Sequence, residues 1–153
     1  MAIEIERKFL VDTAAWRPRD AGVYFKQGYL NSQRERVVRV RLHGESAKLT
    51  IKGITTGVTR AEFEYDVPVG DAIALLEMCE QPLIEKRRHL EPFAGKTWEI
   101  DVFLGDNAGL VIAELELAHE AEAFERPSWL GDEVSGDPRY YNNNLLARPF
   151  KTW

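Results

Sequence analysis

Apolar and polar residues alternate along most of this chain, in short runs that are separated by turn-forming residues. The first run places Ile3 and Ile5 on one face and Glu4, Glu6 and Lys8 on the other. Alternation with a period of two residues is typical of a β-strand that is buried on one side. The whole pattern predicts eight strands, over 3–10, 24–30, 37–42, 47–52, 59–67, 83–90, 97–103 and 110–117.

Helical spacing of apolar residues is rarer and occurs in short windows only. The best helix is predicted to begin at Asp71 as its N-cap, to direct Ile73 and Leu76 inward and to end near Pro82. Two shorter helices are predicted over 118–124 and 140–147. The chain is therefore expected to be mainly β with short helices.

One face of almost every predicted strand is charged, and on most strands that face carries a single sign. In chain order these residues are Glu4, Glu6 and Lys8; Arg39 and Arg41; Lys52; Arg60, Glu62 and Glu64; Lys86 and Arg88; Glu99 and Asp101; Glu114 and Glu116. Such faces are either the solvated side of an ordinary antiparallel sheet or the inner wall of a closed barrel, and periodicity does not distinguish the two. Paired carboxylates beside an ammonium, as in the first strand, suit a hard metal ion next to an anion.

Composition narrows the class of protein. A length of 153 residues with 44% hydrophobic content predicts one domain over 1–153. Cys79 is the single cysteine, which excludes an internal disulfide. The formal net charge of −5 argues against nucleic-acid or membrane-surface binding. With no leader-like segment and no apolar run long enough to cross a bilayer, we expect a cytoplasmic protein.

The opening Glu4-x-Glu6-x-Lys8 and the ordered charged doublets that follow it along the chain resemble the CYTH superfamily of triphosphate tunnel metalloenzymes. The resemblance covers essentially the whole chain. It implies a closed antiparallel β-barrel of about eight strands, an α+β protein by class, whose charged side chains point into an internal tunnel. It also implies that a small-molecule triphosphate is hydrolysed with Mg²⁺ or Mn²⁺ by a water that the metal activates.

The resemblance assigns roles to the charged residues. The residues expected to bind substrate are Lys8, Lys26, Arg39, Arg41, Lys52, Arg60, Lys86 and Arg88. The expected metal ligands are Glu4, Glu6, Glu114 and Glu116, and the supporting carboxylates are Glu62, Glu64, Glu99 and Asp101. Tyr29 is expected to form a catalytic pair with Lys8.

Several functions stay open at this point. Inorganic triphosphate is favoured as the substrate, because no segment is evident that would build an apolar pocket for an organic moiety. The alternatives are a thiamine or nucleoside triphosphatase, a class IV adenylate cyclase, and a polyphosphate-binding module without catalysis. The segment 137–147 resembles the helix that closes one end of the tunnel, with Arg139 as a candidate residue of the tunnel mouth. A homodimer is compatible with the sequence.

Overall fold

The structure, a computed structural model, describes residues 3–153, and in this range the chain forms nine β-strands and one α-helix. The strands are β1 (Ile3–Val11), β2 (Val23–Asn31), β3 (Arg36–His43), β4 (Ser46–Gly53), β5 (Thr59–Asp66), β6 (Ile84–Phe93), β7 (Lys96–Phe103), β8 (Val111–Glu116) and β9 (Leu130–Glu133). The helix α1 (Val69–Glu77) lies between β5 and β6, and 3₁₀ turns occupy Gly105–Asn107, Pro138–Tyr140 and Phe150–Thr152.

The strands form a closed antiparallel barrel. Pairing runs in the order β5-β4-β3-β2-β6-β7-β8-β1, and β1 pairs back to β5 through Ile3–Ile5 opposite Thr59–Ala61. The short strand β9 adds to β1, with Phe9 opposite Glu133. The eight predicted strands are all present, with ends that differ by at most three residues. The predicted eight-stranded barrel is confirmed.

Apolar side chains cover the barrel from outside. Phe9, Trp98, Ile100, Leu115 and Trp129 form one cluster over β1, β7 and β8. A second cluster lies under α1, where Ala72 and Leu76 pack on the outer face of β2, β3 and β4. With the apolar faces turned outward against these clusters, the alternate charged faces must point into the barrel.

One end of the barrel interior is apolar and is filled by the C-terminal segment. Tyr140 and Leu145 are buried there against Tyr29, Ile84 and Phe103 of the strands. This plug leaves the remaining length of the interior to the charged side chains.

Two helix predictions were wrong, and a third was misplaced. The helix α1 begins after Pro68 and buries Ala72 and Leu76, while Ile73 is 52% exposed. Segments 118–124 and 140–147 form turns instead of α-helices. In the second of these, asparagine side chains donate to backbone carbonyls outside the segment: Asn144 to Pro138 at 2.8 Å and Asn143 to Ser32 at 3.0 Å. Strand β9 was not predicted, because its four residues lack an alternating pattern.

No helix within residues 3–153 has the length and hydropathy that crossing a membrane requires.

Candidate functional site

A charged cavity with a volume of about 260 Å³ lies inside the barrel. All but three of the site residues predicted from sequence line it, and they come from all eight strands of the barrel: Glu4, Glu6, Lys8, Tyr29, Arg39, Arg41, Lys52, Arg60, Glu62, Glu64, Arg88, Glu99, Glu114 and Glu116. Of the two alternatives for the charged faces, the structure therefore shows the inner wall of a barrel.

Lys26 is not brought to the cavity. The residues of β2 that share a face with Tyr29 are Phe25 and Gln27, and all three are buried. Lys26 therefore points to the outer face, where it lies opposite Leu42 of β3. The sequence interpretation placed Lys26 inward because it chose the face of each strand by charge, and the inward residues of β2 carry none.

Lys86 and Asp101 point inward but lie within the wall and do not line the cavity. Both are almost completely buried, and the Lys86 Nζ donates to Asp101 Oδ2 at 2.7 Å. The Lys86 ammonium also lies 5.8 Å from the ring centre of Phe25 and 5.5 Å from that of Phe103. Burial lowers the pKa of Lys86 to about 8, although Asp101 raises it.

Three carboxylates hold the guanidinium of Arg88. Its Nε and Nη2 donate to the two oxygens of Asp101 at 2.8 and 2.9 Å. Its Nη1 donates to Glu99 at 2.7 Å, and Nη2 also donates to Glu114 at 3.1 Å. Burial lowers the pKa of Arg88, but Asp101, Glu114 and Glu99 together raise it well above its usual value. This guanidinium is fixed in place and its charge is already balanced.

Arg39 and Arg41 are also buried, but their guanidinium groups have few hydrogen-bond partners. Within residues 3–153 the Nε atoms of both side chains lack a hydrogen-bond partner. Arg39 Nη2 reaches Thr50 Oγ1 at 3.4 Å, and the nearest carboxylate oxygen, from Glu64, is 3.9 Å from Arg39 and 3.7 Å from Arg41. Burial, together with the cations of Arg39 and Arg88, lowers the pKa of Arg41 to about 10. We call these two residues the open arginine pair.

Carboxylates are crowded on β1 and β8. Glu6 lies opposite Glu116 in the strand register. Burial and then the negative charges of Glu114 and Glu4 raise the pKa of Glu6 well above its usual value. Glu4 is itself held by Lys52 at 3.1 Å. Within residues 3–153, no group of three or more acidic, histidine or cysteine side chains is arranged closely enough to hold a metal ion.

The predicted catalytic pair is in the cavity, with both members protonated near neutral pH. Burial lowers the pKa of Lys8, but Glu114, whose Oε2 is 3.4 Å from Lys8 Nζ, and Glu6 raise it above its usual value overall. Burial also raises the pKa of Tyr29, which accepts a 3.4 Å hydrogen bond from Gln27. Neither residue is a ready base in this state.

Residues that the sequence did not single out complete the cavity at its plugged end. Ser135, Tyr141, Asn142 and Asn143 line it there. The Tyr141 ring lies 5.7 Å from Lys8 Nζ, and its hydroxyl donates to the Ser135 carbonyl at 3.2 Å. The only sequence signal was the uncharged run around Tyr141.

Arg139, the candidate mouth residue, lies away from the cavity. Its guanidinium pairs with Asp137 at 2.7 Å and stacks 5.1 Å from the ring centre of Trp153.

Comparisons with known proteins agree with this geometry. The chain is 49% identical over 154 aligned residues to a protein of Acetivibrio thermocellus named inorganic triphosphatase, covering all of this chain and 99% of that protein. It is 36% identical over 146 residues to an inorganic triphosphatase of Nitrosomonas europaea, covering 93% of this chain and 95% of the relative. A crystal structure of an inorganic triphosphatase superposes with a TM-score of 0.66 at 34% identity, covering 95% of each chain.

The family model for the CYTH domain matches residues 2–148. With this match and these relatives, the chain belongs to the CYTH domain family.

Proposed function

We propose that this protein hydrolyses inorganic triphosphate inside the barrel. The observation that carries the proposal is the open arginine pair, two buried guanidiniums whose Nε atoms lack a partner within residues 3–153. Because an unpaired buried cation is costly, these residues favour an anion that enters the cavity. A chain of phosphates offers several charged oxygens, which arginine can bind through two N–H groups at once. The relatives named inorganic triphosphatase support the proposal.

Other cations add to the binding surface around the open arginine pair. Arg60 donates its Nε and Nη2 hydrogens to the Gly53 carbonyl at 3.0 and 2.8 Å, which leaves its Nη1 free to face a phosphate. Lys8 stays an ammonium, because Glu114 and Glu6 raise its pKa. In this proposal Lys8 therefore stabilises charge on the phosphates.

We also propose that the carboxylate side of the cavity holds Mg²⁺ or Mn²⁺ through Glu4, Glu6, Glu114 and Glu116. The fit is in the chemistry of the donors: all are carboxylate oxygens, and burial together with the charges of Glu114 and Glu4 raises the pKa of Glu6, so that a divalent cation there would be favoured. A divalent cation bound there would neutralise charge on the triphosphate and polarise the attacked phosphorus. Glu4 would have to exchange Lys52 for the cation.

The predicted role of Lys8 and Tyr29 in activating water stays a prediction. Both groups hold their protons near neutrality in the protein alone. In this proposal Tyr29 keeps its hydroxyl hydrogen and donates it within the cavity, next to Arg39, which lies opposite it in the β2–β3 register.

The lining favours inorganic triphosphate over a thiamine or nucleoside triphosphate. Sites for organic ligands are mostly apolar and larger than about 300 Å³. This cavity is near 260 Å³, and most of the residues that line it are charged. The apolar end of the barrel interior is filled by Tyr140 and Leu145, so it offers no space for a base or a thiazole ring.

The test is phosphate release from inorganic triphosphate, thiamine triphosphate and ATP, each with Mg²⁺, with Mn²⁺ and with excess chelator. We expect release from inorganic triphosphate with a divalent cation, and none with chelator. Arg87→Gln is the matched control, because Arg87 follows Lys86 on β6 but faces outward, with its guanidinium 5.6 Å from the Tyr24 ring centre.

Each failure has its own meaning. Turnover in excess chelator would refute the metal proposal alone. Preference for thiamine triphosphate or ATP would refute the substrate assignment. Tight binding of triphosphate without phosphate release under any condition would identify a polyphosphate-binding module instead of an enzyme.

A further inference from the structure

Lys86 is out of reach of a molecule in the cavity. Its side chain is 1% exposed, and it is not part of the lining. The ammonium is enclosed by Asp101 at 2.7 Å and by the rings of Phe25 and Phe103. A phosphate would have to displace an aromatic ring or a buried carboxylate to touch it.

The contact that Lys86 does make leads to the cavity in two steps. Asp101 Oδ2 accepts from Lys86 Nζ at 2.7 Å and from Arg88 Nη2 at 2.9 Å, while Oδ1 accepts from Arg88 Nε at 2.8 Å. Asp101 is 1% exposed, so water does not compete for these oxygens. Arg88, the third member, lines the cavity.

We infer that Lys86 and Asp101 are positioning residues: they fix the Arg88 guanidinium towards the bound triphosphate, and Lys86 itself does not contact substrate. This inference rests on the proposed function. Without Lys86, the Asp101 carboxylate could rotate about its side-chain bonds together with Arg88. The hydrogen bond from Lys86 Nζ to Oδ2 prevents this rotation. An oriented planar guanidinium matches phosphate oxygens through paired N–H groups, which a rotating one does not.

The charge on Lys86 supports this role. A methionine side chain has nearly the same length and would pack between Phe25 and Phe103 without desolvating an ammonium. Burial is the largest influence on the pKa of Lys86 and lowers it to about 8, so the buried charge is costly here. What a methionine would not supply is the hydrogen bond to Asp101.

The competing explanation is an ion pair that only holds the fold together. It predicts that losing Lys86 lowers the melting temperature and leaves the KM for triphosphate and the orientation of Arg88 unchanged. A direct substrate contact makes a third prediction: the loss of Lys86 raises KM by the same factor whether or not Arg88 is present.

The test is a double-mutant cycle with Lys86→Met, Arg88→Gln and the double variant, using inorganic triphosphate with Mg²⁺. We expect Lys86→Met to raise KM about tenfold in the otherwise unchanged protein and less than twofold in the Arg88→Gln protein. Arg87→Met, one residue along β6 on the outer face, should leave KM within twofold. Equal factors in both backgrounds, or no change in KM, would overturn the inference.

A second readout does not depend on turnover. The ¹⁵N–¹H signal of Arg88 Nε, assigned by its absence in Arg88→Gln, should be sharp in the unchanged protein and should broaden or shift in Lys86→Met. An unchanged signal would overturn the inference even if the protein proves not to hydrolyse triphosphate. If Lys86→Met does not fold, Asp101→Asn takes its place, with the same cycle and the same signal deciding.

Discussion

Arg88 and the open arginine pair, Arg39 and Arg41, lie in different parts of the barrel interior and differ in how far carboxylates neutralise their charge. Arg88 donates to Asp101, Glu99 and Glu114, and these contacts balance its charge before any ligand arrives. Arg39 and Arg41 keep carboxylates more than 3.5 Å away and leave both Nε atoms without a partner within residues 3–153. All three guanidiniums are largely buried, so burial alone does not explain the difference.

The difference follows from what the neighbouring strands place beside each cation. Next to Arg88, β7 and β8 supply carboxylates, whereas next to Arg39 and Arg41 the strands β2 and β4 supply Gln27, Tyr29 and Thr50. Phe25 lies between the two groups, with its ring centre 4.9 Å from Arg41 and 4.8 Å from Arg88. A cation with partners contributes rigidity, and a cation without them contributes affinity for an anion.

The largest effect should come from Arg88→Gln, which removes the satisfied cation. Glu99, Asp101 and Glu114 would each lose a cationic partner inside the barrel. We expect a loss of about 3 to 5 kcal/mol in the free energy of unfolding, because one partner of a buried ionic network is removed. Thermal unfolding followed by circular dichroism should show a fall of roughly 6 to 20 °C. A melting temperature within 2 °C of the unchanged protein would remove the distinction between the two groups.

Arg41→Gln should have the opposite profile. It removes a poorly paired charge that burial and two neighbouring cations disfavour, so the melting temperature should stay the same or rise. Binding of triphosphate should weaken by about 10- to 100-fold, which corresponds to the loss of a charge-assisted hydrogen bond worth 1.5 to 3 kcal/mol. Calorimetric titration measures the affinity, and Arg39→Gln serves as the paired variant. Strong destabilisation without loss of affinity would contradict the assignment.

Glu6→Gln should stabilise the metal-free protein by about 1 to 2 kcal/mol at pH 8, because it removes the cost of burying a charged Glu6 and its repulsion by Glu114 and Glu4. The pKa of Glu6 is raised in the folded state, so Glu6 makes the folded protein less stable at high pH, where it must ionise, than at low pH, where it keeps its proton. The gain should therefore shrink as the pH falls from 8 towards 5, because Glu6 takes up its proton more readily than an exposed glutamate and loses its charge. Chemical denaturation in chelator at both pH values measures it. A gain that is larger at pH 5 would show that the repulsion is not the cause.

The smallest effects should come from cations on the outer face. Arg7 pairs with Glu133 at 2.6 Å outside the barrel, and exposed pairs of this kind contribute about 1 kcal/mol or less. Arg7→Gln and Arg87→Gln should leave the KM for triphosphate within twofold. Losses as large as those at Arg41 would mean that binding depends on overall basicity and not on the direction in which a side chain points.

The barrel and most of its lining could be predicted from the sequence, because both follow from a period of two residues. Once Glu4, Glu6 and Lys8 share a face, their neighbours Ile5 and Phe9 must lie on the other, and the resemblance to a barrel family sets which face is inside. On β2 the inward face carries no charge, and there the same reasoning failed. It predicted that Lys26 points into the barrel, whereas Phe25 and Gln27 do.

Which cation pairs with which carboxylate could not be predicted from the sequence. Lys86 and Arg41 look alike as basic residues on inward faces, yet one is enclosed by Asp101 and aromatic rings while the other faces the cavity. Which carboxylate meets which cation depends on strand register and on the shear of the barrel, and no local pattern encodes either. The turns of the C-terminal segment escaped prediction for a similar reason: burial of Leu145 and Leu146 in the barrel end outweighs their helical spacing.

The position of β1 also sets when the cavity can form. This strand supplies Glu4, Glu6 and Lys8, but its neighbours β8 and β9 come from the far part of the chain, and the backbone of Lys8 meets Ser135, which is 127 residues away. Contacts of such long range form late and slowly. During synthesis, β1 leaves the ribosome well before β8 and β9, and its charged side chains are enclosed only after those strands have been made. The cavity should therefore be assembled in one late step, and a chain that has not yet made β8 and β9 should hold neither triphosphate nor metal.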